Sequence, residues 1–333
     1  MPLYYSTFAS GFEPAIDGLI QRDLPGTQVM RVLEGAVEYR RSGAPIKQFP
    51  RWFNNSFLCL TTFPRANRDP LQEMVRLATQ RGVDSETLMA HLPAKATGFR
   101  AMFMIEGTLA HAGLKTMAKA EEFLTLSSGL TPERARPDVE FWFLYRREGI
   151  GFLLMRLTQH KDTAKELNPG ELRPDIAHML CRLSNPKPTD SFLDPFAGYG
   201  GIVKARLAAP AASIVAGDIR PTAQLQALAS GTTRVLAMDA REMGDKVPSG
   251  SVDVIVTDPP WGQFEPLENP GAFYGRFFAE ARRVLRRDGR LVLLTALKKE
   301  AENALKLGFA IDERLDVLVS GKKASVFVCR NVK

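Results

Sequence analysis

The sequence predicts an α/β protein in which an α+β first half precedes a nucleotide-type α/β second half. Three observations carry this. Between residues 190 and 258, apolar strand-like runs repeatedly end in, or lead directly into, an aspartate: Asp194, Asp218, Asp239 and Asp258. A glycine-rich turn, Gly198-Tyr199-Gly200-Gly201, follows the first of these runs. The first half alternates short aromatic or β-branched runs with helical spacings and contains no catalytic signature.

Composition bounds the reading. A chain of 333 residues fits about two domains, and 45% hydrophobic with 24% charged residues is ordinary globular composition. The net charge of +7 points to an anionic partner such as RNA or DNA. Cys59, Cys181 and Cys329 lie far apart with no C-x-x-C spacing, so neither a disulfide framework nor a zinc signature is expected. His91, His111, His160 and His178 form no H-E-x-x-H pattern, and no metal site is expected. Without a secretory signal or a run approaching 18 apolar residues, the chain reads as a soluble, cytoplasmic protein with no membrane segment.

Taken in order, Leu3–Phe8 reads as a strand and Pro14–Gln21 as a helix. Val29–Leu33 and Ala36–Tyr39 read as strands around Glu34-Gly35, and Arg51–Pro64 is dense in apolar residues, which together make a βαββ-type module. Helical spacing follows over Leu71–Thr79 and Ser85–Leu92, then a strand over Gly98–Met104. The helix over Ala118–Leu126 stops at Ser127-Ser128-Gly129. Pro137–Tyr145 and Ile150–Leu157 read as a hairpin, with Trp142, Phe143 and Tyr145 as core rather than as a base-stacking platform. Gln159–Gly170 is a polar junction, after which Asp175–Leu183 has apolar helical spacing.

In the second half, strand, glycine-rich turn and helix (Ile202–Leu207) succeed one another from Asp190. The turn is neither G-x-G-x-x-G nor a lysine-bearing phosphate loop, which disfavours a dinucleotide or a triphosphate. An acidic strand end suits a cationic amino-acid moiety, such as that of S-adenosylmethionine. Asp218 lies about 20 residues beyond the turn, where a carboxylate accepts from both ribose hydroxyls. Asp239 ends the next unit. A helix over Tyr274–Leu285, a turn at 286–289, a strand over Arg290–Leu297, a helix over Lys299–Leu307 and a terminal pair, Leu315–Ser320 with Ala324–Cys329, complete the chain.

Thr257-Asp258-Pro259-Pro260-Trp261-Gly262 closes the strand Ser251–Val256. Open α/β sheets place ligands at the carboxyl edge of their strands. Two prolines stiffen the loop and remove two N–H donors, leaving carbonyls as acceptors; Asp258 adds oxygens and Trp261 a flat face. A base held by its exocyclic amine requires that combination. In isolation Asp-Pro-Pro-Trp reads more readily as a turn, with Trp261 capping the core; the upstream glycine turn reverses that reading.

L-D-P-F-A-G-Y-G-G resembles the first motif of the Rossmann-fold, class I methyltransferases that modify exocyclic amines, and T-D-P-P-W-G resembles their (N/D)-P-P-(Y/F/W) motif. Within them, L-R-P-D-I-A-H-M-L-C-R-L and G-L-T-P-E-R-A-R-P-D-V-E-F-W-F-L are similar to RNA guanosine-N2 methyltransferases that carry a THUMP domain. Trp261 stands where Tyr or Phe is commoner, and Tyr199 where Ser or Thr is usual. The resemblance implies a doubly wound methyltransferase domain (176–333) joined by a linker (159–175) to a ferredoxin-like module (1–64) and a THUMP RNA-binding domain (65–158).

By the same resemblance, Asp258, Pro259, Pro260 and Trp261 are the catalytic loop, with the guanosine stacked on Trp261 and its N2 amine accepted by Asp258 and the Pro259 carbonyl. S-adenosylmethionine is the implied cofactor. Asp194, Phe196, Ala197 and Gly198 line its methionine end, Asp218 and Ile219 its ribose, and Asp239 and Ala240 its adenine; Asp258 also faces it, and Arg173 approaches from the preceding segment. RNA, with tRNA as first choice, is the implied partner of a monomer. An rRNA guanosine-N2 methyltransferase, a DNA adenine-N6 methyltransferase, a methyltransferase of glutamine amides and a non-catalytic RNA-binding module are the alternatives.

Overall fold

The computed structural model describes residues 1–66, 69–158, 167–262 and 267–332. The chain divides into two compact units, Met1–Thr7 with Ile20–His160 and Phe8–Leu19 with Lys161–Lys333.

The chain begins with β1 (Leu3–Thr7), then α1 (Glu13–Asp23), whose residues up to Leu19 count with the second unit, and the first unit continues with β2 (Thr27–Leu33), β3 (Ala36–Arg41) and β4 (Asn55–Phe63). The strands run antiparallel in the order β2-β3-β1-β4. α2 (Pro70–Arg81), α3 (Ser85–His91), β5 (Gly98–Ile105), β6 (Thr108–Leu109), α4 (Leu114–Ser128), β7 (Thr131–Pro132), β8 (Val139–Tyr145) and β9 (Gly151–Arg156) follow. β9 pairs antiparallel with β4, so both groups of strands share one nine-stranded sheet. Tyr5, Phe57, Phe152 and Leu154 form a core on one face, with Trp142 packed against it. Trp142 and Phe143 are core side chains, meeting Phe57 and Phe103 at ring separations of 5.2 and 5.1 Å. His91 is held between the Tyr4 hydroxyl (2.9 Å) and the Thr87 carbonyl (2.8 Å). α4 ends on Gly129 in the left-handed conformation (φ 72°), as the Ser-Ser-Gly signal predicts.

Of the polar junction expected over Gln159–Gly170, residues 159–166 lie outside the described residues. The second unit continues with α5 (Pro174–Leu183), β10 (Ser191–Asp194), α6 (Gly201–Leu207), β11 (Ser213–Asp218), α7 (Ala223–Gln226) and β12 (Thr233–Ala237). It ends with β13 (Val252–Thr257), α8 (Pro270–Val284), β14 (Leu285–Thr295), α9 (Lys298–Leu305), β15 (Phe309–Val319) and β16 (Lys322–Asn331). The sheet order is β12-β11-β10-β13-β14-β16-β15. The first five strands are parallel and β16 is antiparallel to both neighbours. This is a Rossmann-type doubly wound sheet closed by a hairpin.

Leu193, Ile255, Leu291 and Leu293 pack with Phe273, Tyr274 and Phe277 of α8. Val292 and Leu294 are buried on the opposite face by the alternation of the strand, which explains the unbroken apolar run in β14. The turn expected at 286–289 is instead an excursion within β14. Leu285 still pairs with Val252, and the next pair is Val254 with Arg290. Burial of Leu285 pins the strand start, and Asp288 takes up the detour at φ 58°.

Candidate active site

The sheet order reverses between β10 and β13, so the carboxyl ends of these neighbours open the crevice that doubly wound sheets use for ligands. Asp194 ends β10 and Asp258 follows β13. Thr257 Oγ1 donates to Asp194 Oδ1 at 2.8 Å, and the Phe196 N–H donates to the same oxygen at 3.2 Å. Asp194 Oδ2 is buried without a hydrogen-bond partner among the described residues. Burial pushes the Asp194 carboxyl up to about 7, with Asp218 nearby adding to the rise. Asp258 Oδ1 accepts from Trp261 Nε1 at 2.8 Å. Desolvation, reinforced by the charge of Asp194, pushes Asp258 up to about 8.

The glycine turn is built by backbone hydrogen bonds. The Ala197 N–H donates to the Gly217 carbonyl and the Gly198 N–H to Asp218 Oδ2, both at 2.9 Å. Gly198 sits at φ 52°, and a Cβ there would meet nothing within 4 Å, so open space lies beyond the turn. Asp218 Oδ1 accepts from the Arg220 N–H. Beside it, Ile219 is 60% exposed, an apolar face next to an acceptor. Asp239 is gripped by Arg241, whose N–H and guanidinium both donate to it, and Arg241 also lies over the Phe273 ring. Ala240 is buried in the core. Phe196 packs edge-on against Phe277 at 5.1 Å, and Arg173 pairs with Asp175 at 2.5 Å.

The structure therefore brings Asp194, Phe196, Ala197, Gly198, Asp218, Ile219 and Asp258 to one sheet edge. Asp239 follows the neighbouring strand β12 and Arg173 stands at the start of α5, each already paired to a side chain two residues away. Sequence reasoning missed Thr257, although it adjoins the D-P-P-W run, and it missed Arg241, an i+2 partner of Asp239. It also missed Tyr274, whose hydroxyl bonds Thr295 at 2.7 Å and is pushed up by burial and the charge of Asp258. Next to the loop lies a cavity of about 200 Å³, lined by Asp258, Pro259, Pro260 and Trp261 together with residues of the 170–172 and 319–322 segments.

A buried, unpartnered carboxylate oxygen beside an open glycine turn fits the cationic amino-acid end of S-adenosylmethionine. The exposed Ile219 face beside Asp218 fits its nucleoside. Comparison with known proteins decides the family. A family model described as RMKL-like, methyltransferase domain matches residues 162–224 and 221–322. The tRNA (guanine(6)-N2)-methyltransferase of Thermus thermophilus is 31% identical over 245 residues, spanning 70% of this chain and 72% of that protein.

The chain belongs to the tRNA guanine-N2 methyltransferases.

A second such methyltransferase, the bovine tRNA (guanine(6)-N(2))-methyltransferase THUMP3, is 29% identical over 47% of this chain and 35% of its own length. The crystal structure of TrmN from Thermus thermophilus superposes over the whole of both chains with a TM-score of 0.77 at 24% identity, which shows a shared fold. Among the described residues, no group of three or more His, Cys, Asp or Glu is placed to hold a metal ion. No helix among them is long and apolar enough to cross a membrane.

Proposed function

We propose that this methyltransferase transfers the methyl group of S-adenosylmethionine to the exocyclic N2 of a guanosine in tRNA, at position 6. The observation that carries the chemistry is the meeting of Asp194 and Asp258 at the switch point, one with an orphaned oxygen and one on a proline-stiffened loop. Position 6 is taken from the names of the Thermus and bovine relatives.

The cofactor supplies an electrophilic methyl group when bound. Asp194 would neutralise its cationic amino group, Phe196, Ala197 and Gly198 would line the methionine end, Asp218 and Ile219 the ribose, and Asp239 and Ala240 the adenine. Trp261 holds Asp258 through the indole N–H and offers its ring face to the guanine. Asp258 and the Pro259 carbonyl accept from the N2 amine, which reduces its delocalisation into the ring and aims the nitrogen lone pair. Pro260 keeps the loop rigid. No proton has to leave before transfer, because the methylated ammonium is acidic and releases it afterwards. In this reading residues 65–158 act as a THUMP domain on the RNA backbone, Arg173 turns from Asp175 towards the cofactor, and the enzyme works as a cytoplasmic monomer without metal.

Tritiated methyl transfer into unmodified tRNA transcripts, with rRNA fragments and duplex DNA in parallel, tests the reading. N2-methylguanosine in tRNA, lost with Asp258→Ala, is expected. Methyladenine in DNA, or labelling of rRNA alone, would overturn it.

A further inference from the structure

A D-P-P-W loop can hold any exocyclic amine, so something else in the cavity has to distinguish guanine. Guanine presents an N1–H donor beside an O6 acceptor, whereas adenine presents an acceptor at N1. Besides the loop itself, the residues lining the cavity include one glutamate and one lysine, Glu171 and Lys322. We propose that these two residues read the Watson–Crick edge of the target base, Glu171 accepting from N1–H and Lys322 donating to O6. The inference rests on the guanine-N2 activity proposed above and adds the residues that set base specificity. Adenine in the same position would turn its N1 lone pair towards a carboxylate, a repulsive element against the wrong base.

The Glu171 side chain is held in place before any base arrives, and the backbone of Lys322 is fixed by a tight turn. Glu171 closes a turn in which its N–H donates to the Asn168 carbonyl at 2.9 Å, with Pro169 and Gly170 (φ 81°) at the centre. Its side chain is only 8% exposed. Oε2 accepts from the Asn168 backbone N–H at 3.1 Å and from Asn168 Nδ2 at 2.8 Å. Oε1 faces Gln224 Nε2 at 3.4 Å and Lys204 Nζ at 3.7 Å. A carboxylate offers about four acceptor sites and four donors already face this one, so a base N1–H would take the place of the long Gln224 contact on Oε1. Lys322 opens β16 directly after a two-residue turn, Ser320-Gly321, with φ of 48° and 80°, and its backbone pairs with Val319. That geometry matches the tight type I′ hairpin, which fixes where the lysine stem leaves the sheet.

The test replaces the guanosine that the wild-type enzyme methylates with 2-aminopurine, which keeps the exocyclic N2 amine but lacks O6 and N1–H. tRNAs carrying either base are assembled by ligation, and methyl transfer is measured for wild type, Glu171→Gln and Lys322→Met, with melting curves for each protein. Wild type is expected to favour guanosine by about 10- to 100-fold, the worth of one or two hydrogen bonds to charged groups. Each variant is expected to lose most of that preference by slowing on guanosine alone. Equal slowing on both bases would assign the residues to the phosphate backbone or to folding, and would overturn the inference, as would equal use of both bases by wild type. Wild type that methylates no tRNA would overturn the activity itself.

Discussion

Asp194 and Asp258 share one predicament: each is a carboxylate held in a poorly solvated crevice, and each lies near the other. Their acceptor forms populate as pH rises through about 7 and about 8, so methyl transfer should climb over that interval and level off above it. Asp258→Ala should lower kcat/KM by about 100-fold or more, as does removal of a preorganised charge-stabilising group elsewhere. Stability runs the other way. The folded protein holds these protons more tightly than the unfolded chain, whose carboxyls titrate near 4. The pair's contribution is therefore complete below about pH 4 and is lost as pH rises towards 7 and 8. Asp194→Asn should raise Tm at pH 8 and leave it nearly unchanged at pH 4, measured by scanning calorimetry in the absence of cofactor. Gly198 separates binding from folding. Gly198→Ala meets no neighbour and should cost only about 1 kcal/mol through its positive φ, while weakening S-adenosylmethionine binding in a calorimetric titration. These aspartates and the glycine were legible because each stands at a strand end in an apolar frame. Glu171 and Lys322 were not, because about 150 residues separate them and no local pattern marks either as a neighbour of Trp261.

At the scale of elements, the loops that carry the site are braced from behind. Arg206, on α6, is buried and donates to the carbonyls of Lys187, Ala209 and Pro210 at 3.0, 2.8 and 2.9 Å. It ties the loop before β10 to the end of the helix that starts at the glycine turn. Arg206→Leu should destabilise the fold by about 3 kcal/mol, read by urea denaturation, because three carbonyls lose charged donors at once. Arg290 does a similar task from β14, bonding the Ser184 and Asn185 carbonyls and the Asp190 carboxylate. Most strands and helices were legible from period and caps. The β14 excursion was not. A turn sequence at 286–289 looks like a boundary, and only the burial of Leu285 against β13 shows that the strand has already begun. The continuous sheet of the first unit was likewise hidden. The β4–β9 pairing joins residues about 90 positions apart, and nothing in either run specifies its partner.

At the scale of the whole chain, the charge of +7 makes a prediction about the partner rather than the fold. Raising salt from about 50 to 200 mM should raise KM for tRNA steeply while kcat holds, since phosphate contacts release counterions and the chemical step does not. The basic excess and the two-part organisation were both visible in composition and motif order. What no local pattern foretold is that Phe8–Leu19, between β1 and the rest of the first unit, belongs to the second unit. There the Ser10 carbonyl accepts from the Leu318 N–H on β15, and a Cβ on Gly11 would lie 2.2 Å from the Asp316 carbonyl oxygen. During synthesis this segment leaves the ribosome about 300 residues ahead of the strand it bonds. At about 5–20 residues per second, that leaves the Ser10 carbonyl waiting roughly 15–60 s for its partner on β15. The Ser10–Gly11 turn therefore spends most of translation without the strand edge it finally lies against.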